Sequence, residues 1–340
     1  MGLMQRRIKQ HLAMSCLCLS ISVLAMSALT TSKAWANHWF FNMDNDIIVG
    51  SDGDFSNGIL LGWQTGAMNE LDQASWLIKG LSWLTLSDRS QHYQWGYNIH
   101  QRMWTPIEIE HDFPQAYDRP YAGTLELNSY FGSFSDEFAQ KVQLSLGVIG
   151  PASGAEKSQS WVHDITNSEK PNGWDYQVQN QFIGQLTYEA DYLITRQPFF
   201  KHTQWDFAPY AQLSAGNFRS QALGGLSLRW GSNLANSFGK LTSIDGALQN
   251  FSSVAQTSGD WQVFHRIQTG YRFNDLTLEG EINYESKANI THHQTQVLTG
   301  VVWATPTWSA EFTVKYYTSE FETDPSDWHG FGSLSFSYLF

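Results

Sequence analysis

The chain has 340 residues, a formal net charge of −12 at pH 7 and only 15% charged residues, against about 25% in typical soluble domains. The excess of acidic residues argues against nucleic acid as a partner, because nucleic-acid-binding surfaces neutralise phosphates with lysine and arginine. Aromatic residues make up 15%, and after residue 36 no apolar run approaches the roughly 20 residues of a membrane helix. This combination is typical of a membrane β-barrel, in which only alternate residues face lipid.

The first 36 residues have the features of a secretory signal peptide. Basic residues within 6–9 precede an apolar stretch over 12–29, and Ala34-Trp35-Ala36 matches a small-residue cleavage site. The alternative is an N-terminal membrane anchor, which would lack such a cleavage triplet. We therefore predict a signal peptide over 1–36 and an outer-membrane β-barrel domain over 37–340.

Removal of this segment would change both the charge and the redox chemistry of the chain. It holds four of the 20 basic residues and none of the 32 acidic ones, so 16 basic and 32 acidic residues remain. Both cysteines also lie within it, and the remaining chain therefore has no disulfide or thiolate chemistry.

Alternation of apolar and polar residues predicts thirteen strands along the rest of the chain. The sharpest run is the C-terminal one, in which Leu334, Phe336, Tyr338 and Phe340 share one face. A last strand that ends on an aromatic residue is typical of the closing strand of a bacterial barrel. The predicted runs lie near 38–46, 58–65, 92–104, 121–132, 139–149, 180–194, 204–216, 221–231, 260–273, 276–286, 293–304, 308–318 and 330–340.

Bacterial barrels contain even numbers of strands, so thirteen runs cannot all be barrel strands. Placing the turns near Asn274-Asp275 and Pro306 on the periplasmic side leaves one run too many within 204–231. We therefore predict an all-β fold: a transmembrane antiparallel up-and-down β-barrel of twelve strands, with fourteen as the alternative. A short helix is expected in an extracellular loop over 160–175, and a helix-like apolar spacing occurs over 69–86.

Three connections on the predicted outer side carry candidate chemistry. The first, around 43–58, concentrates aspartate and asparagine oxygens, which suit Ca²⁺, although the residues alone favour an Asx-rich turn between two strands, with its aspartates solvated. The second contains Arg102 and Arg119, which could bind phosphate or stabilise an oxyanion, or could belong to a charge network in the lumen. The third contains His163, a candidate general base. The sequence has no Gly-x-Ser-x-Gly nucleophile elbow.

Several motifs in fixed order resemble the outer-membrane lipid A 3'-O-deacylase family, and the resemblance extends to about residue 190. The motifs are Asn45-Asp46, Ser56-Asn57-Gly58, the run Tyr-Asn-Ile-His-Gln-Arg-Met-Trp-Thr-Pro over 97–106, Asp-Arg-Pro-Tyr-Ala-Gly over 118–123, Gly-Val-Ile-Gly-Pro over 147–151, Trp161-Val162-His163, and Lys-Pro-Asn-Gly-Trp-Asp over 170–175.

The resemblance implies a twelve-stranded barrel that uses Ca²⁺ to remove the 3'-acyloxyacyl group of lipid A in the outer leaflet. His163 would deprotonate a water that attacks the ester carbonyl, and Asp46 and Glu169 would bind Ca²⁺, which acts as a Lewis acid. The expected partner is lipid A, or lipopolysaccharide, in the bacterial outer membrane, and we expect a monomer.

The remaining site residues also follow from the resemblance. Asn45 and Ser56 would orient the water or the substrate, and Arg102 would bind a sugar phosphate or assist the oxyanion. Ser56 replaces the family's threonine and keeps its hydroxyl, and His100 stands where the family usually has a glycine.

Two other functions fit the sequence. An outer-membrane phospholipase would also use Ca²⁺ and a histidine on a different ester. A non-catalytic barrel, either a small channel or a relative that has lost activity, would keep the strands and make His163 dispensable.

Overall fold

The computed structural model describes residues 37–50, 53–71, 74–86, 92–238, 241–242, 248–249 and 259–339. The predicted signal peptide lies outside the described residues.

Twelve antiparallel strands close into a barrel, as predicted. The first and last strands of the barrel pair with each other, with His38 opposite Leu339, and a ladder that pairs Asp191 with Tyr210 completes the circle. The barrel strands are β1 (His38–Asn45), β2 (Asp54–Gln64), β3 (His92–Thr105), β4 (Ala122–Phe134), β5 (Phe138–Ile149), β6 (Gln181–Tyr192), β8 (Gln204–Gly216), β9 (Gln221–Gly231), β12 (Asp260–Arg272), β13 (His293–Ala304), β14 (Trp308–Thr318) and β15 (Trp328–Leu339).

Three short strands lie outside this count. β7 (Thr195–Pro198) pairs only with the start of β8. β10 (Leu241–Thr242) and β11 (Leu248–Gln249) pair with each other as a separate small sheet.

The predicted strand over 276–286 is wrong, and both runs within 204–231 are barrel strands. Residues Leu276–Glu279 form a short helix, α3 (numbered third in chain order), because Asp275 caps its first turn by accepting a hydrogen bond from Thr277 N at 3.0 Å. Leu278 packs on Ala288 and Phe321 instead of facing outward. Since 273–292 connects β12 to β13, the Asn274-Asp275 turn lies at the same end as Asn45, opposite to its predicted side.

We call the end of the barrel where β1 gives way to β2 the loop rim, and the end that carries His38 and Leu339 the terminus end. Along each strand the side chains alternate between an apolar outer wall and a polar lumen. Ile99, for example, is 56% exposed on the outside, whereas its neighbours Asn98 and His100 are buried in the lumen.

Buried ion pairs fill the lumen, both between distant strands and between neighbouring ones. Arg266 on β12 reaches Asp191 on β6 at 2.9 Å, although two strands separate them in the sheet. Lys141 and Glu189 form another buried pair at 2.6 Å.

Two further helices pack on the barrel. α1 (Trp76–Ser82) follows β2 and falls within the segment whose apolar spacing predicted a helix. α2 (Ala155–Thr166) follows β5 at the loop rim and is the predicted loop helix, although it begins earlier than expected. No helix in the described part of the chain is long and apolar enough to cross a membrane.

Candidate functional site

A row of outward-facing residues crosses three neighbouring strands at the loop rim. Asn45 on β1 lies opposite Asn57 on β2, and Asn57 lies opposite Met103 on β3. Adjacent strands lie about 4.8 Å apart, so Asn45 and Met103 are roughly 10 Å from each other. Two amide side chains therefore sit on the outside of the barrel, just above its apolar wall.

Ser56 joins this row because the ladder is irregular there. The register between β2 and β3 shifts between Phe55 and Asn57, and such a bulge re-aims one side chain. Ser56 Oγ lies 2.6 Å from Thr105 Oγ1, and the Ser56 carbonyl accepts a hydrogen bond from Asn45 Nδ2 at 3.2 Å. The hydroxyl is thus held beside the asparagine.

Asn45 and Asp46 present two oxygens to the same amide. Asp46 opens a 3-10 turn over Asp46–Val49, and Ile47 N donates to Asn45 Oδ1 at 3.1 Å and to Asp46 Oδ1 at 2.8 Å. Asp46 is buried. The two side-chain oxygens therefore converge on one point at the rim.

Helix α2 is docked against the same part of the outer wall. Its first residue, Ala155, is buried in a cluster with Met103, Tyr121 and Trp174. A β-carbon added at Gly123, the register partner of Met103, would lie 2.3 Å from Ala155 Cβ. The glycine thus allows the helix to approach the wall closely beside the polar row.

Two hydrogen bonds hold α2 and the turn before it in this position. Gln101 Nε2 on β3 donates to the Ser153 carbonyl at 2.7 Å. Trp174 Nε1 donates to Gln159 Oε1 at 2.8 Å, and both side chains are buried. Gln159 lies one helical turn before His163, so this bond ties the histidine-bearing turn to the loop that follows α2.

The hydrogen bond of His163 defines its tautomer. Nδ1 contacts the main-chain carbonyl of Glu169. A carbonyl can only accept, so Nδ1 donates this hydrogen bond, and in the neutral imidazole the lone pair is then on Nε2. The chain around His163 closes on itself, because Ser168 N donates back to the His163 carbonyl at 3.0 Å.

The structure groups some predicted site residues and separates others. Asn45, Asp46 and Ser56 lie together. His163 lies on α2, whose first residue, Ala155, packs beside Met103 of the same row. The Glu169 side chain is exposed, and its main chain is what contacts His163. Within the described ranges, no group of three or more histidine, cysteine, aspartate or glutamate side chains is arranged to hold a metal ion.

Arg102 is not part of this group. Its guanidinium points into the lumen, where Nη2 donates to Glu126 Oε1 at 2.6 Å. The guanidinium carbon Cζ lies over the Phe218 ring, 4.8 Å from the ring centroid. Neighbouring residues of a strand face opposite sides, so Gln101 and Met103, on either side of Arg102, face the outer wall.

Two aspartates of the opening stretch are buried in the lumen, which corrects their interpretation as solvated loop residues. Asp44 Oδ1 accepts from Ser333 Oγ at 2.5 Å and from Asn42 Nδ2 at 2.7 Å. Asp54 accepts from Tyr317 OH at 2.6 Å and pairs with Arg119. Their burial reflects the closing of the barrel, which the local sequence does not reveal.

Six charged side chains seal the lumen below the loop rim, and we call them the rim plug. Glu320 contacts Arg119 at 3.2 Å, Arg219 at 3.2 Å and Arg272 at 2.7 Å. Burial acts to raise the pKa of the Glu320 carboxyl, but these three arginines hold that pKa well below its usual range. Asp54 and Asp275 are the other two acids, so the plug balances three positive and three negative charges.

A closed antiparallel barrel with an apolar outer wall and a filled polar lumen defines an outer-membrane β-barrel protein. The chain belongs to the family described as outer membrane protein LpxR, whose family model matches residues 12–340. It is therefore a protein of the bacterial outer membrane, and the resemblance noted in its motifs is confirmed.

The fold also matches solved barrels. LpxR from Salmonella typhimurium superposes with a TM-score of 0.74 at 16% identity, covering 89% of this chain and 100% of that one. The β-domain of the Bordetella autotransporter BrkA gives a TM-score of 0.44 at 10% identity, covering 90% of this chain and 100% of that one. No curated protein matches the chain.

Proposed function

We propose that the protein is an ester hydrolase that removes the 3'-acyloxyacyl group of lipid A at the loop rim. The observation that carries this proposal is the position of the polar row formed by Asn45, Asn57 and the Ser56–Thr105 pair. It lies on the outside of the barrel, directly above the apolar wall. An ester near the headgroup of a membrane lipid would meet the row without leaving the bilayer.

His163 is the proposed general base. Its Nδ1 proton is engaged by the Glu169 carbonyl, so Nε2 would accept a proton from the attacking water. Asn45 and the Ser56 hydroxyl would orient the water or the ester. Since water is the nucleophile in this reaction, no serine elbow is needed.

The proposed metal is Ca²⁺, and the residues near the site offer the oxygen donors that this ion prefers. Asn45 Oδ1 and Asp46 Oδ1 are hard oxygen donors that converge at the rim, and the exposed Glu169 carboxylate lies on the loop after α2. Ca²⁺ takes six to eight oxygens, so main-chain carbonyls, water or the lipid would complete the set. When bound, the ion would polarise the ester carbonyl.

The filled lumen favours an enzyme rather than a channel. The rim plug and the cross-lumen ion pairs occupy the interior with buried, mutually paired charges. A channel of this size would instead line an aqueous path.

The test is a side-by-side assay of the purified protein with lipid A and with a diacyl glycerophospholipid, in the presence of Ca²⁺. The proposal predicts release of the 3'-acyloxyacyl group from lipid A and no release of fatty acid from the phospholipid. Hydrolysis of the phospholipid alone would identify a phospholipase instead, and no hydrolysis of either lipid would identify a non-catalytic barrel.

A further inference from the structure

Aromatic side chains ring the outer wall at the terminus end. Each lies at the first or second position from the end of its strand, and several stack with a neighbour: the Trp230 and Trp261 ring centroids are 5.0 Å apart, and those of Trp303 and Trp308 are 6.2 Å apart. Such a girdle marks the headgroup level of a membrane. Its members are Trp39, Trp63, Trp230, Trp261, Trp303, Trp308 and Tyr338.

Helix α1 covers the wall where this girdle is interrupted. Phe131 on β4 and Val142 on β5 face outward, yet each is only 1% exposed. Ile78 and Leu81 of α1 pack on them, and these two helix residues are 0% and 5% exposed. At this level of β4 and β5, α1 therefore covers the outer wall and takes the place of the strand side chains at the surface.

The opposite face of α1 carries aromatic residues of its own. Trp76 is 84% exposed and Trp83 is 86% exposed, with Lys79 between them. The spacing i, i+3 and i+7 places these three residues on one face of a helix. Tryptophan at both ends of a helix and lysine between them suit the boundary between headgroups and acyl chains.

The helix continues the girdle in space as well as in composition. Phe131 lies opposite Trp95 in the β3–β4 ladder, and the Trp95 ring packs 5.3 Å from Trp63, a member of the girdle. Ser75, the N-cap of α1, hydrogen-bonds Tyr97 on β3 at 3.2 Å. The wall under α1 is thus the direct neighbour of the Trp63–Trp95 pair, at the same level.

We propose that α1 is a membrane-contact element that completes the aromatic girdle, with Trp76 and Trp83 seated at the headgroup boundary of the leaflet at the terminus end. The occupant of this face is a phospholipid surface, and the Lys79 ammonium lies within reach of its phosphates. The helix lies parallel to the membrane surface and widens the footprint of the barrel on one side.

The test places an environment-sensitive NBD fluorophore on the thiol of a Trp83→Cys variant, in a full chain that also carries Cys16→Ser and Cys18→Ser. The protein is reconstituted in phosphatidylcholine–phosphatidylglycerol vesicles that contain a quencher on shallow or deep acyl carbons. Ile99→Cys, midway up the outer wall, and Glu137→Cys, in the exposed turn at the same end, serve as matched controls. Retained heat-modifiable mobility on gels verifies that each variant is folded.

The proposal predicts that the shallow quencher reduces the fluorescence at position 83 at least twofold more than the deep one does. The order should reverse at position 99, and position 137 should respond to neither quencher. A signal at position 83 that matches position 137 would overturn the proposal. Stronger quenching by the deep lipid would also overturn it, as would shielding of position 83 by a cross-linkable second copy of the chain.

Discussion

Ser56 Oγ and Thr105 Oγ1 lie 2.6 Å apart on the outer wall of the barrel, at the only register shift between β2 and β3. Either hydroxyl can be the donor, and in both cases the hydrogen bond to Thr105 holds the Ser56 oxygen in place. We expect Thr105→Val to lower the rate of lipid A deacylation about two- to tenfold, the value of one net hydrogen bond. Thr105→Ser, which keeps the hydroxyl, should restore most of the rate.

The same pair distinguishes an orienting serine from a covalent one. If Ser56 only orients water or substrate, Ser56→Ala retains measurable activity and the parent enzyme never carries an acyl group. Intact-mass analysis after a brief reaction measures this directly. A dead Ser56→Ala variant, together with an acyl adduct on Ser56 in the parent protein, would contradict the water mechanism.

The docking of α2 can be disturbed without changing any of the predicted site residues. Gly123→Ala places a methyl group about 2.3 Å from Ala155 Cβ, so the helix must move away from the wall. A displacement of about 1 Å can lower a rate on the order of 100-fold, and deacylation by this variant should fall on that scale while the barrel stays folded. Gly224→Ala is the matched control, because no atom lies within 4 Å of its added carbon. Full activity of Gly123→Ala would show that deacylation does not depend on the docking of α2.

Glu169 offers a test of the proposed metal that leaves the histidine in place. Its main-chain carbonyl contacts His163 whatever its side chain, so Glu169→Gln changes only the carboxylate. We expect the Ca²⁺ concentration for half-maximal activity to rise about tenfold, corresponding to roughly 1.4 kcal/mol of binding energy. Glu156→Gln, exposed on the first turn of α2, should leave it unchanged, and an unaltered Ca²⁺ response of Glu169→Gln would remove Glu169 from the ligand set.

The rim plug predicts how stability depends on pH. The pKa of Glu320 is depressed from 4.5 by three arginines, so its contribution is fully present above about pH 4.5 and is lost only as the pH falls through the lower folded value. Glu320→Gln leaves buried arginines under-compensated and should destabilise the barrel by about 3–5 kcal/mol. The temperature at which each protein loses its heat-modifiable gel mobility, compared at pH 7 and below, measures this loss of stability.

The control for this prediction lies on the same loop. Glu322 is exposed and outside the plug, so Glu322→Gln should behave like the parent protein at every pH. Equal thermal stability of Glu320→Gln and the parent protein at pH 7 would show that the plug does not contribute to stability.

The sequence predicts the barrel well because alternation is a property of each strand alone. The twelve barrel strands all correspond to predicted runs, and the one surplus run, 276–286, failed because capping by Asp275 and burial of Leu278 depend on neighbours distant in sequence. The same limit explains the site. The motifs single out Asn45 and His163 as candidates, but only the folded barrel reveals that Arg102 faces the lumen and that the Thr105 hydroxyl contacts Ser56.

The proposed function requires both His163 and Ca²⁺ for the hydrolysis of lipid A at the outer wall. The most direct measurement is mass spectrometry of lipid A from outer membranes containing this protein or its His163→Ala variant, each with Ca²⁺ or with a chelator. We predict loss of the 3'-acyloxyacyl mass only with intact His163 and available Ca²⁺. Unchanged lipid A with the parent protein folded and inserted, or equal deacylation by His163→Ala, would contradict it.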